Sequence, residues 1–303
     1  MLSLSEHKRI AGGGDTDEVL RNKIVTPTAQ GFLLVRDPDT LSTFLYNPAS
    51  SDDQVIQLPP LRGAGDDPAA PAGCVVLLVE GWDDTFIWYC RPGDDHWNKY
   101  EYDIGSHVLL YPDNKEEDQI KKNVICSIAA CQGKFYFDCS AKEMRAIDLS
   151  SPEPAFTVIA IDDTIPADGS HGYDEQPPCR IFLVESNGEH YMVRLLFVSP
   201  YEGGDEIDRA SAHKMDFSRR RWCSVRDLGG RAFLLSQFYF GASCSAASEH
   251  GLLPDRGCDR VYFMFDRNNS LQSLDVKDET YQLRKLDDAP KADKAFWLLP
   301  THP

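Results

Sequence analysis

From Gln30 onward the chain alternates short runs rich in Val, Ile, Leu, Phe and Tyr with clusters of Gly, Asp, Asn and Pro. No other feature constrains the fold as strongly. β-branched and aromatic side chains suit a pleated strand, whereas Gly, Pro, Asn and Asp set turn dihedrals or withhold a backbone donor. The chain is therefore expected to be all-β. A first group of strands spans 31–36, 41–46 and 54–58, with turns at Asp37-Pro38-Asp39 and Asn47-Pro48 and a stop at Pro59-Pro60. The second group spans 74–79, 85–90 and 96–101, and the third 124–130, 134–138, 144–149 and 156–161. A fourth covers 180–185, 190–198, 212–217 and 222–226, with Ser186-Asn187-Gly188-Glu189 as a hairpin turn between its first two strands. The fifth covers 232–235, 260–265, 270–276 and 281–286, leaving an apolar tail at 295–299.

Groups of three to four antiparallel strands recurring at intervals of roughly 45 to 55 residues are what a β-propeller requires, each blade stacking its apolar faces on its neighbours. About five blades are expected, with six as the alternative count. A sandwich is disfavoured, because it is exhausted by about seven to nine strands. The first group reads one strand short, so the tail around Phe296 and Trp297 is expected to pair with it and close the ring, removing a free sheet edge. Residues 28–303 then form the propeller domain and 1–27 a flexible extension, with one weak helical stretch at 15–23 behind Gly12-Gly13-Gly14.

Charge narrows the partners. The 303 residues carry 31 Lys and Arg against 48 Asp and Glu, a formal net charge of −17, the wrong sign for holding nucleic acid or anionic lipid through many phosphate contacts. No apolar run reaches the roughly 18 residues of a membrane-spanning helix, and the N-terminus lacks the apolar core of a signal peptide. Nine cysteines, mostly beside apolar neighbours, read as buried free thiols of a reducing compartment, so cytoplasm or nucleus is expected.

Catalytic patterns are missing. Gly241-Ala242-Ser243-Cys244-Ser245 begins like a nucleophile elbow but lacks its second glycine and reads as a loop or strand edge. Cys126, Cys131 and Cys139 have no histidine in zinc-module spacing, and core packing accounts for Cys126 and Cys131. The paired acids lack the alternating calcium-loop pattern. No metal, cofactor or catalytic residue is expected. Trp82, Trp88, Trp97, Trp222 and Trp297 are expected to cover the seams between blades, and Arg219-Arg220-Arg221 to sit in a solvated hairpin turn.

Two long connections carry aromatic residues among acids: 162–178 with Tyr173, Asp174 and Glu175, and 199–208 with Tyr201, Glu202 and Asp205. In an up-and-down blade these two connection types emerge on one face of the ring. Tyrosines on loops over a rigid scaffold are a common recognition device, and these six residues are the candidate partner-binding set.

A further set of signatures is shared with a known family: Gly31-Phe32-Leu33-Leu34, Asn47-Pro48, Leu58-Pro59-Pro60-Leu61, Cys90-Arg91-Pro92-Gly93-Asp94 with Trp97, Gly133-Lys134-Phe135-Tyr136 and Asp148-Leu149. Met215-Asp216-Phe217 leading to Trp222, Leu228-Gly229-Gly230-Arg231-Ala232-Phe233, and Gly257-Cys258 before Val261-Tyr262-Phe263 continue the order. Over about residues 28–299 the chain resembles the plant F-box-associated β-propeller family of the KIB type, also described as a domain of unknown function (number 295). The resemblance implies a non-enzymatic protein-interaction module, related to the substrate receptors of Skp1-cullin ubiquitin ligases. Fewer than 30 residues precede the first strand, too few for a three-helix F-box, which counts against direct contact with Skp1. The rival expectations are an enzyme using the central funnel and a degenerate family member without activity. The apolar inner runs 124–130 and 180–185 offer such an enzyme little to work with.

Overall fold

In a strand, successive side chains point to opposite faces, so an apolar run with no polar alternation has two faces to bury. Most strands here have that character, and stacking sheet against sheet around a ring satisfies both faces at once. The computed structural model describes residues 2–3, 8–9, 19–48, 55–60, 75–79, 85–109, 119–137, 142–162, 179–197, 207–236, 240–245, 259–265, 270–278, 280–285 and 297. It is a five-bladed β-propeller.

The short strands β1 (Leu2–Ser3) and β2 (Lys8–Arg9) pair with each other ahead of the ring. The first blade is β3 (Ile24–Pro27), β4 (Leu33–Arg36), β5 (Thr43–Tyr46) and β6 (Val55–Leu58), and the second is β7 (Val76–Val79), β8 (Phe86–Cys90) and β9 (Asn98–Glu101). A separate ribbon of β10 (Ser106–Leu109) and β11 (Gln119–Lys122) follows. The third blade is β12 (Ile128–Cys131), β13 (Lys134–Phe137), β14 (Glu143–Asp148) and β15 (Ala155–Ala160). The fourth is β16 (Cys179–Ser186), β17 (Glu189–Phe197), β18 (Ile207–Asp216) and β19 (Arg221–Val225). The fifth holds β20 (Arg231–Ser236), β21 (Phe240–Ser245), β22 (Arg260–Phe265), β23 (Ser270–Asp275) and β24 (Tyr281–Lys285), in the spatial order β21-β20-β22-β23-β24.

Alternation assigns each face to a seam. Phe182 and Val184 of β16 pack on Phe233 and Phe263 of the fifth blade, whereas the intervening Leu183, with Met192 of β17, packs on Tyr136 and Met144 of the third. Ile87 and Tyr89 meet Phe137 and Ile147 across the next seam, and Leu34 and Leu45 meet Trp88 and Trp97 across the one after. Each such fully buried side chain contributes about 1.5–3 kcal/mol, against about 0–1 kcal/mol for an exposed ion pair such as Lys122–Glu101. The seams, not the surface charges, hold the ring.

The described tryptophans lie at the seams, where they bury large rings. Trp88, Trp97, Trp222 and Trp297 are all buried. Trp97 is fully enclosed, and its Nε1–H donates to Pro59 O at 2.7 Å while Thr43 Oγ1–H donates to the same carbonyl at 2.5 Å. The second blade is thereby tied to the end of the first. Trp82 lies outside the described residues. Arg219 and Arg220 are exposed in the β18–β19 turn, and Arg220 reaches Asp162 of the third blade at 3.3 Å.

Three expectations are corrected. The first blade is not a strand short: Ile24–Pro27, placed in the extension, is its β3, paired with β4. Pro27 hid it, because a proline demotes a run that sequence alone would otherwise call a strand, yet an edge strand tolerates one. No closing strand is therefore missing from that blade. Trp297, the described residue of the tail, instead donates its Nε1–H to Leu235 O of the fifth blade at 2.9 Å and packs with Ala29 and Tyr262; Phe296 lies outside the described residues.

Of the two readings of Gly241-Ala242-Ser243-Cys244-Ser245, loop or strand edge, the second holds: the stretch is the regular strand β21 at the end of its sheet. Its small residues permit close approach, since a Cβ on Gly241 would stand 2.5 Å from Leu183 O. The chain thus turns inward after β20, and β22 then pairs parallel to β20 from the other side. Finally, Cys126 is exposed rather than core, as is Cys179, while Cys90, Cys131 and Cys244 are buried.

Candidate interaction surfaces

The six expected partner-binding residues, Tyr173, Asp174, Glu175, Tyr201, Glu202 and Asp205, lie outside the described residues. The strand ends that bound their loops are described. Cys179, which ends the first connection, pairs with Leu196, and the second connection runs between the neighbouring pair Phe197 and Ile207. These ends meet at one end of the fourth blade. β18 begins earlier than expected, at Ile207, so the second connection is shorter than its sequence reading.

The perturbed groups that meet, His190, Tyr136 and Cys131, are shifted chiefly by their burial in one apolar seam. His190 on β17 is fully buried among Tyr136, Phe217 and Trp222, and burial pushes it down from 6.5 to about 3. Neither ring nitrogen has a hydrogen-bond partner, so it lacks the reach to a reacting proton that a general base needs. Burial raises the Cys131 and Cys244 thiols to about 11, the opposite of a nucleophilic cysteine. Asp37 is lowered to about 2 by the Lys23 ammonium and by the backbone N–H groups of Thr40 and Asp39. Asp148 falls to about 2 through the hydroxyl and backbone N–H of Ser150 and through Lys134. Both carboxylates are turn and strand-end anchors. Among the described residues no three of His, Cys, Asp and Glu come together as a metal site, and no helix is long and apolar enough to cross a membrane.

What the described surface does offer is exposed apolar area on rigid supports. The β10–β11 ribbon, which no strand signal announced, is rooted at the seam between the second and third blades. Asn123 N–H donates to Gly105 O at 2.8 Å, Arg145 Nη1 to Ile104 O at 2.7 Å, and Ile125 N–H to Tyr102 Oη at 3.1 Å. Beyond that root, Val108 and Ile120 stand directly opposite each other at 51% and 75% exposure. A cross-strand apolar pair in a globular protein ordinarily faces a core; this one faces solvent. Its detection from sequence was blocked by Lys121 and Lys122, which mask the single isoleucine of β11.

A second exposed pair, Tyr281 and Leu283, lies on β24 at the outer edge of the fifth blade. Between it and β18 the seam of the fourth and fifth blades opens into a cavity of about 180 Å³.

The model of one family, the KIB1-4 beta-propeller, matches residues 1–285. No curated protein matches the chain.

Proposed function

Because the chain belongs to the KIB1-4 beta-propeller family, we propose that it is a protein-interaction module that positions a partner and makes or breaks no bond. The observation that carries this reading is the solvent-facing Val108–Ile120 pair on a ribbon anchored to two blades. Covering each side chain with a partner is worth up to about 1.5–3 kcal/mol, with little ordering cost because the ribbon's root is already held. Tyr173, Asp174, Glu175, Tyr201, Glu202 and Asp205 are the further recognition residues of this reading. The finer reading is a substrate-receptor-like role: the partner is a protein destined for ubiquitylation, met in the cytoplasm or nucleus.

Proximity labelling in plant cells tests it, comparing the intact chain with a Val108→Ser/Ile120→Ser variant and with a Tyr173→Ala/Tyr201→Ala variant. Loss of a common set of neighbours from either variant is the expected result. Identical neighbours for all three would remove these surfaces from the reading. Recovery of Skp1 with the intact chain supports the ligase role, and its clean absence removes that role while leaving the interaction module.

A further inference from the structure

β18 is ten residues long, but β19 pairs only with its second half, Ala212–Asp216. The first half, Ile207 to Ser211, pairs with β17 on one side, with a bulge at Asp208, and has no strand on the other among the described residues. An unpaired strand edge presents alternating N–H and C=O groups to any extended chain. This edge is held in place: Ile207 N–H donates to Oε1 of the buried Gln272 at 3.2 Å, fixing the start of β18 to the fifth blade.

Beside the edge lies the cavity. Leu195 and Ile207 line it from the fourth blade, and Val261, Phe263, Leu274 and Tyr281 from the fifth. Ala210 of β18, a small residue, lines it together with the larger Leu274 and Tyr281 of the fifth blade, and a small side chain leaves room that a larger one would fill. The volume of about 180 Å³ decides what enters. A cavity of about 150 Å³ holds a benzene ring, whereas small-molecule and cofactor pockets run from about 300 to 1,000 Å³. One aromatic or branched aliphatic side chain fits; a cofactor does not.

Charge selects further. Among the described residues the lining includes Arg209 and no carboxylate, and the adjoining strand ends in Arg284 and Lys285, in a chain that is otherwise strongly acidic. Complementary charge across such a contact governs partner choice and association rate.

We propose that this cleft docks an extended, acidic peptide segment of a protein partner, which adds as a strand to the Ile207–Ser211 edge and buries one bulky apolar side chain between the fourth and fifth blades. Tyr281 and Leu283 form the rim over which the segment passes. The proposal rests on the interaction-module reading and specifies one mode of it.

A random peptide library displayed on phage and selected against the full chain tests the cleft. Selected peptides are expected to share one bulky apolar residue flanked by Asp or Glu. Their affinity is expected to fall about tenfold or more in Ala210→Trp, which fills the cavity, and severalfold in Lys285→Glu, the latter effect fading at high salt. Leu283→Ser, a change at an exposed position that keeps the fold, is expected to weaken them as well and serves if Ala210→Trp folds poorly. Peptides lacking that pattern, no selected peptides, or peptides that bind Leu283→Ser and Lys285→Glu as tightly as the parent would overturn the cleft. Partner capture lost in the Val108→Ser/Ile120→Ser variant but unaffected by the cleft variants would overturn it while sparing the module; capture unaffected by every variant would remove both.

Discussion

His190 shows how one residue couples packing to pH. It is a neutral imidazole enclosed by rings from the third and fourth blades, with no hydrogen-bond partner on either nitrogen. Burial lowers it to about 3 in the fold, against 6.5 ordinarily, so the unfolded chain binds the proton first. Stability is complete above about pH 6.5 and is lost progressively as the pH falls toward 3. At pH 5 the loss is about 2 kcal/mol. Asp37 and Asp148, lowered to about 2 from 3.8, lose their contribution only below about pH 4 to 5, so the interval from 6.5 to 5 isolates the histidine. Denaturant unfolding of the parent at pH 7.5 and 5 is expected to differ by that amount, and His190→Leu is expected to remove the difference. Equal pH profiles for the two proteins would place the acid sensitivity elsewhere.

At the scale of elements, the two inner hairpins and the inner strand β21 illustrate local and non-local control. Gln132 and Gly133, like Asn187 and Gly188, all have positive φ, the type I′ combination whose twist suits a two-residue hairpin. The two turns touch, with Gln132 Nε2–H donating to Gly188 O at 3.1 Å, so a local turn signal also joins neighbouring blades. β21 is different. It is seated by the contact between Gly241 and the backbone of β16 and by Ser243 Oγ, which meets Ser186 Oγ at 2.8 Å and accepts from Arg231 Nε at 2.7 Å. Gly241→Ala has no room unless the two strands separate, and is expected to cost about 1–3 kcal/mol in denaturant unfolding. A variant as stable as the parent would show that β21 does not lie against β16.

For the whole molecule, the question is how the last seam closes. The fifth blade holds Ala232, Leu234 and Tyr262 in one cluster with Trp297 and Ala29, and the face of the first blade opposite to Leu34 and Leu45 carries Leu33, Val35 and Tyr46, packed with Val19 and Leu20. Trp297 belongs to the fifth blade's share of this seam, in the cluster that includes Ala29 from the entry to the first. Trp297→Ala is expected to lower the unfolding free energy by about 3–5 kcal/mol. Trp297→Phe, which keeps the ring but loses the bond to Leu235 O, is expected to cost about 1 kcal/mol. A loss under about 1 kcal/mol for the alanine variant would show that the ring closes without this side chain.

The amino-acid order determined the class of structure, because strand-forming runs and turn residues act over a few neighbours: the five groups, the Asn187-Gly188 turn and the seam positions of Trp88, Trp97 and Trp222 were legible on that ground. The tertiary structure decided what depends on two distant segments meeting. β3, ending in Pro27, becomes a strand because Leu33–Arg36 offers it an edge, and Gly241-Ala242-Ser243 becomes one because Leu183 approaches it. The cleft lies where β19 stops short of the strand it pairs with and where the small Ala210 lines the space between two blades. None of these relations has a local signature: each is a difference in length or volume between pieces of chain brought together only when the ring forms.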